Sequence, residues 1–333
     1  MFNKKLYNIP YHKEDLSKYT FLITGGAGFI GSNLVEYLLR YNAGNVRVLD
    51  NLSNGYFENI KEFIGLPNFE FIKGDIRDIE TCNKAVEDID FISHQAALGS
   101  VPRSISDPLT SNSVNVSGFL NILNAAKDSK RIKNFIYAAS SSTYGDSETL
   151  PKVEEIIGSP LSPYAVTKLV NELYAKVFSK VYNFNSIGLR YFNVFGPKQN
   201  PNNPYAAVIP IFCKNFLEGT SPVINGDGLT SRDFTFVENV IQANVKAFEL
   251  EVTNSEVFNV ACGDQITLNE MVHLLNDISN NKIDPIYRDS RPGDIKHSKA
   301  CIKKIKKNMG YEPIFNFKEG LRLTYSYYKE NNI

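Results

Sequence analysis

The chain has 333 residues, of which 43% are hydrophobic and 22% charged, enough to build a buried core across two sub-domains and too apolar for disorder. Its 36 basic side chains balance 36 acidic ones, which leaves no electrostatic footprint for nucleic acid or an anionic membrane. Cys82, Cys213, Cys262 and Cys301 lie apart without CxxC or metal-ligand spacing, and no apolar run has signal-peptide or membrane-spanning form. The expectation is a soluble, cytoplasmic protein with reduced thiols and no metal.

Residues 1–19 read as an N-terminal extension. Short apolar runs then follow at Phe21–Thr24, Val46–Asp50, Phe69–Ile72, Phe91–His94, Phe135–Ala139 and Ser186–Arg190. Helical patterns with apolar residues three and four apart fall between most of them, at Phe29–Arg40, Ile79–Val86, Pro108–Ala126 and Ser162–Val181. Strands alternating with helices predict an α/β fold, a doubly wound parallel sheet covered on both faces. After about Tyr191, clusters of Pro, Asn and Gly predict a smaller, loop-rich α/β C-terminal lobe. The expected division is residues 20–190 for the first domain and 191–333 mainly for the second. Segments near 233–260, at Asp233–Phe236 and Val257–Val260, are candidates to return to the first.

The run Thr24-Gly25-Gly26-Ala27-Gly28-Phe29-Ile30-Gly31 follows a strand and opens a helix, and Gly26, Gly28 and Gly31 satisfy G-x-G-x-x-G. Such glycines let the backbone approach a pyrophosphate at a helix N-terminus, as in a Rossmann-like dinucleotide site. Asp50 ends the second strand, nineteen residues past Gly31, where a carboxylate bonds the ribose hydroxyls and repels a 2′-phosphate. NAD is therefore expected rather than NADP. The alternative for Asp50 is a turn cap with Asn51 and Ser53, and Asp75 in Gly74-Asp75-Ile76 either faces the adenine or caps a loop.

Tyr164 and Lys168 stand four apart at the start of a helical pattern, on one face. A free tyrosine has a pKa near ~10, and an adjacent ammonium favours its phenolate. Tyr325 and Lys329 share that spacing, so the pair alone is weak. Ser140-Ser141-Ser142, directly after the fifth strand, can present hydroxyls to a substrate alcohol or simply bond the backbone.

Together TGGAGFIG, Asp50, SSS…YxxxK and RYFNVFGP (Arg190–Pro197) resemble the extended short-chain dehydrogenase/reductases from about Thr20 onward. Within them the chain looks most like the UDP-sugar 4-epimerases, particularly bacterial UDP-N-acetylglucosamine 4-epimerases. The resemblance implies a catalytic base at Tyr164, assisted by Lys168, Ser140 and Ser142. It implies an NAD site at Gly25, Gly28, Phe29, Ile30, Gly31, Asp50, Asn51, Asp75, Ile76 and Gln95, with Tyr164 and Lys168. It also implies substrate contacts from Gly99, Ser142, Asn193, Ala207, Arg232, Arg291 and Ser298, and a homodimer paired through Pro108–Ala126 and Ser162–Val181.

Dehydratases of the family carry an Asp-Glu pair where this chain has Ser141 and Ser142, neither an acid or base at neutral pH, so elimination is disfavoured. Enzymes restricted to UDP-glucose and UDP-galactose resemble one another in a tyrosine where this chain has Ser298. With Gly99 and Ala207 also small, the expected substrate is a UDP-N-acetylhexosamine, with slow turnover of the plain sugars. Two rivals stay open. A UDP-glucuronate 4-epimerase would need a cation near C6, which the sequence does not place. A non-catalytic NAD-binding regulator would have no use for Tyr164, Lys168 and Ser140.

Overall fold

The computed structural model describes residues 5–289 and 296–332. Seven strands form one parallel sheet: β1 (Thr20–Thr24), β2 (Asn45–Asp50), β3 (Phe69–Lys73), β4 (Phe91–His94), β5 (Asn134–Ser140), β6 (Ile187–Tyr191) and β7 (Glu256–Val260). Their order is β7-β6-β5-β4-β1-β2-β3. The order reverses between β1 and β4, which opens a crevice beyond their carboxyl ends.

Successive strand residues point to opposite faces. Phe21 and Ile23 of β1 therefore join one hydrophobic core while Leu22 joins the other. The first core takes Leu34, Val35 and Leu38 from the Phe29–Arg40 helix and Val237, Val240 and Ile241 from the Val237–Phe248 helix. The second takes Cys82, Ala85 and Val86, Phe119, Ile122 and Leu123, and Ala175 and Phe178 from helices on the opposite face. Both faces are covered, so the strands read as nearly continuous apolar runs. His94 is buried against Thr24 at 2.9 Å, and desolvation pushes its pKa down to about 3.

Of the two later segments, Glu256–Val260 extends the main sheet beside β6. Thr235–Phe236 pairs instead with Val194–Phe195 in a separate two-stranded sheet. The pattern at Pro108–Ala126 is not one regular helix: a π turn at Ser113–Gly118 separates Pro108–Asn112 from Phe119–Ala126. The side chain of Asn115, within that turn, bonds both the N–H and the carbonyl of Leu98 and the hydroxyl of Thr167. Gly118 packs so closely that a Cβ there would lie 2.5 Å from Ile76. Val114 of the same turn lines a pocket in the crevice with Gly25 and Asp50, in keeping with the tendency of π turns to sit at functional sites.

The segment before β1 is part of the core. Leu6, Tyr7, Tyr11 and Leu16 are buried. The Tyr7 N–H and the Tyr11 hydroxyl both donate to Glu238 Oε1, at 2.7 and 2.5 Å, and the Tyr7 hydroxyl donates to Asn33 at 2.6 Å. Among the described residues no helix is long and apolar enough to cross a membrane.

Candidate active site

The turn after β1 explains its glycines. Gly25 has φ +68°, and a Cβ there would sit 2.7 Å from the Ala96 nitrogen. A Cβ on Gly31 would penetrate the Gly25 carbonyl, so the helix can approach the turn only without a side chain. That helix starts at Phe29 with Gly28 as its N-cap and no side-chain cap, leaving its first N–H groups for an anionic ligand.

Asp50 is buried at the end of β2. Its Oδ2 accepts from the Ala27 N–H at 3.0 Å and its Oδ1 from the Leu52 N–H at 2.8 Å. It thus caps the loop and ties it to the glycine turn, while each oxygen keeps a lone pair for a ribose hydroxyl. Burial raises its pKa and these two N–H donors oppose the shift. Asp75 accepts from Asn51 at 2.8 Å and from Arg77 at 2.7 Å, and those hydrogen bonds hold its carboxyl far below the usual range. Asp50, Asn51, Asp75, Ile76 and Gln95 line one pocket with Gly25 and Gly28. A cradle that excludes Cβ atoms, uncapped helix N–H groups and a carboxylate with free lone pairs fit NAD.

A second cavity, of about 430 Å³, continues from the cradle. Gly28, Phe29, Ile30, Gly31, Gln95, Gly99, Ser140, Tyr164, Lys168 and Asn193 all line it, and among the described residues no Asp or Glu does. Tyr164 is fixed by its N–H, which donates to Ser104 at 3.0 Å, in a helix capped by Ser162. Burial raises the Tyr164 pKa and a hydrogen bond with Ser140 works against that. The Lys168 ammonium lies 5.9 Å from the Tyr164 ring centroid and donates to the Ala138 carbonyl at 2.7 Å. Burial lowers its pKa to about 8, with Glu172, one turn on, pulling upward. Ser142 bonds Ser140 through its hydroxyl at 2.9 Å, and it is Ser141 that joins Ser140 in the cavity wall.

The second lobe gathers other candidates by long-range bonds. Asn193, at φ +38°, donates to the Asp233 carbonyl at 2.9 Å. The Ser298 N–H donates to the Ser231 carbonyl at 3.1 Å, beside Arg232, which donates to the carbonyls of Ser231 and Lys296. Asp233 binds this cluster together: its carboxylate accepts from the N–H groups of Cys262, Gly263 and Ala300 at 3.0–3.1 Å. Burial pushes that carboxyl up to about 7 against the three donors. Ala207 caps the Val208–Glu218 helix at an exposed position. Ala207, Arg232 and Ser298 are not among the residues lining the cavity of Tyr164, and Arg291 lies outside the described residues.

Several wall residues escape sequence reasoning, among them Tyr191, Arg103, Asn203 and Tyr205. Tyr191 ends a strand inside RYFN, a position whose inward direction the strand period indicates. Arg103 and Tyr205 carry no local signal, being brought together from helix and loop.

Residues 21–261 match the model of the NAD dependent epimerase/dehydratase family. The chain is 35% identical to a putative UDP-glucose 4-epimerase of Methanocaldococcus jannaschii, over 93% of this chain and 99% of that one. It is similar in structure to the UDP-N-acetylglucosamine 4-epimerase of Methanobrevibacter ruminantium, solved with UDP-N-acetylmuramic acid. The TM-score is 0.89 at 40% identity, over 94% of this chain and 99% of that chain. It is also similar to the UDP-glucuronic acid 4-epimerase of Bacillus cereus, solved with UDP-glucuronic acid and NAD, at TM-score 0.86 and 32% identity, covering 94% and 99%. With the cradle, Asp50 and the Tyr164–Lys168 pair in one crevice, the chain belongs to the NAD dependent epimerase/dehydratase family, alongside UDP-sugar 4-epimerases, and its cofactor is NAD.

Proposed function

We propose that this protein interconverts UDP-N-acetylglucosamine and UDP-N-acetylgalactosamine by transient oxidation at C4. The carrying observation is that Tyr164, Lys168 and Ser140 share one cavity with the phosphate cradle while no carboxylate of the described residues lines it. A hydroxyl base without an acid–base partner suits oxidation and reversal, and not elimination of water.

Bound NAD supplies a hydride acceptor that returns what it takes. Tyr164, as the phenolate, removes the 4-hydroxyl proton and later restores it. Ser140 orients that hydroxyl, and Lys168 holds the phenolate charge. Arg232 and Arg291 are proposed to keep the UDP diphosphate anchored while the 4-keto sugar turns its other face, guanidinium forks being suited to that dianion. Residues 20–190 carry the cofactor in this reading, and 191–333 mainly the sugar nucleotide. Incubating the purified protein with UDP-N-acetylglucosamine, without added cofactor, and separating the C4 epimers tests it. No epimer from a sample that carries NAD sinks the proposal.

Room for the acetamido group is the basis for the sugar assignment. A Cβ built at Gly99 meets nothing within 4 Å, so that rim is open. Ser298→Tyr is expected to suppress turnover of the acetamido sugars by about 10–200-fold while sparing UDP-glucose, as one group of pocket volume is worth ~1–3 kcal/mol. Equal loss for both substrates, in steady-state kcat/KM, counts against the size argument.

The partner is proposed to be a second copy, in a cytoplasmic homodimer. Val166, Leu173, Val177 and Val181 form an exposed stripe along the Pro163–Tyr182 helix, beside Ile105 and Leu109. A contiguous apolar patch of this kind marks an interaction surface. Sedimentation should give twice the chain mass for the parent, and the monomer for Leu173→Lys/Val177→Lys.

A further inference from the structure

The cavity that holds Tyr164 has a second wall with no assigned role. Besides the phosphate cradle it is lined by Asn54, Arg103, Asn203 and Tyr205. These come from three places: the loop after β2, the helix after β4, and a loop of the second lobe. Arg103 joins them. Its guanidinium donates to Asn54 Oδ1 at 3.1 Å and stacks 4.8 Å from the Tyr205 ring centroid. Asn203 donates to the same Asn54 oxygen at 3.3 Å, and Asn200 donates to Tyr56 at 2.6 Å, so the β2 loop is tied twice to the second lobe.

Arg103 and Lys168 are the cations among the residues lining this cavity. Lys168 is engaged at the Ala138 carbonyl, deep in the site. Arg103 has no carboxylate partner among the described residues, and stacking plus one amide bond uses only part of its five donors. The cradle offers N–H groups from one side only, so a dinucleotide diphosphate seated there would present its outer oxygens to the second wall. A half-buried, pre-oriented guanidinium is the group suited to them.

We propose that Arg103 binds the diphosphate of NAD from the side opposite the glycine turn, and that with Asn54 and Tyr205 it forms a catch across both lobes that retains the cofactor. The proposal rests on the NAD assignment and not on which sugar is turned over.

The test measures NAD itself. Protein would be purified, desalted and denatured, and the released dinucleotide quantified per chain. The NAD dissociation constant would be measured by titration after stripping. Arg103→Ala is expected to weaken NAD binding about 10- to 100-fold, to lose most of its NAD on desalting, and to flatten the salt dependence of that affinity. At saturating NAD its KM for the UDP-sugar should match the parent. Tyr205→Ala, at a position 39% exposed, should shift NAD affinity the same way by a smaller factor, and serves if Arg103→Ala does not fold. Unchanged NAD content and affinity in folded Arg103→Ala, or in folded Tyr205→Ala where that variant stands in for it, overturns the proposal. So does a higher UDP-sugar KM with NAD content intact, since the cation would then serve the substrate.

Discussion

Replacing Tyr164 with phenylalanine is expected to lower kcat by about 10²–10⁴-fold, the usual contribution of a positioned general base, while the protein folds and keeps its NAD. The hydroxyl lost is the one that faces Ser140, and the ring left behind still fills its place above Lys168. Only the proton acceptor is missing. The pH dependence sharpens the test. Turnover needs the phenolate, so it should rise with pH from a low value at acid pH, because burial holds the Tyr164 proton tightly. It needs the Lys168 ammonium too, and burial makes that group lose its proton near pH 8, so above about 8 the loss of ammonium offsets the gain in phenolate and the profile should level off. The phenylalanine variant should have lost the rising limb. A variant that turns over like the parent, with the same profile, would leave the dinucleotide-binding regulator as the better account.

The largest effect on stability is expected at Arg190. Its guanidinium grips Glu172 in a two-point pair at 2.9 and 2.8 Å, donates to the Glu154 carbonyl at 3.0 Å and lies 4.8 Å from the Tyr144 ring centroid. The two side chains are 3% and 2% exposed. Arg190→Ala leaves the Glu172 carboxylate buried and unpaired, which should cost about 3–5 kcal/mol in unfolding free energy. Lysine cannot reproduce the fork, so Arg190→Lys should recover little. The pair Arg190→Met with Glu172→Leu removes both charges and should recover most of the loss, because the desolvation of the two ions disappears with them. Urea midpoints with unchanged m-values would read all three. A single-variant loss below about 1 kcal/mol would show the carboxylate to be hydrated or protonated.

Much of the sheet was legible because each strand is buried on both faces and each connecting helix has one apolar side. Local spacing also led to the cofactor end, where Gly25, Gly28, Gly31 and Asp50 meet within a few residues of β1 and β2. The π turn was not legible, since an inserted residue shifts the apolar pattern without breaking it. The cluster around Asp233 was not legible either. Ser298 reaches Ser231, and Ala300 reaches Asp233, across 67 residues each, and nothing in either segment announces the other. Arg103 is similar, a charged residue in a short polar helix whose partners lie 49 and about 100 positions away.

Residues 5–19 belong to the core although their tyrosines, set in a polar stretch, show no apolar period. Their burial depends on Glu238, whose oxygen meets the Tyr7 N–H from 231 positions later in the chain. That separation has a consequence during synthesis. Most of the chain must leave the ribosome before Glu238 exists to receive the strap, and contacts of such long range form late. The strap can reach Asn33 and Tyr37 of the Phe29–Arg40 helix early, but it is locked only when the Val237–Phe248 helix brings Glu238 beside them.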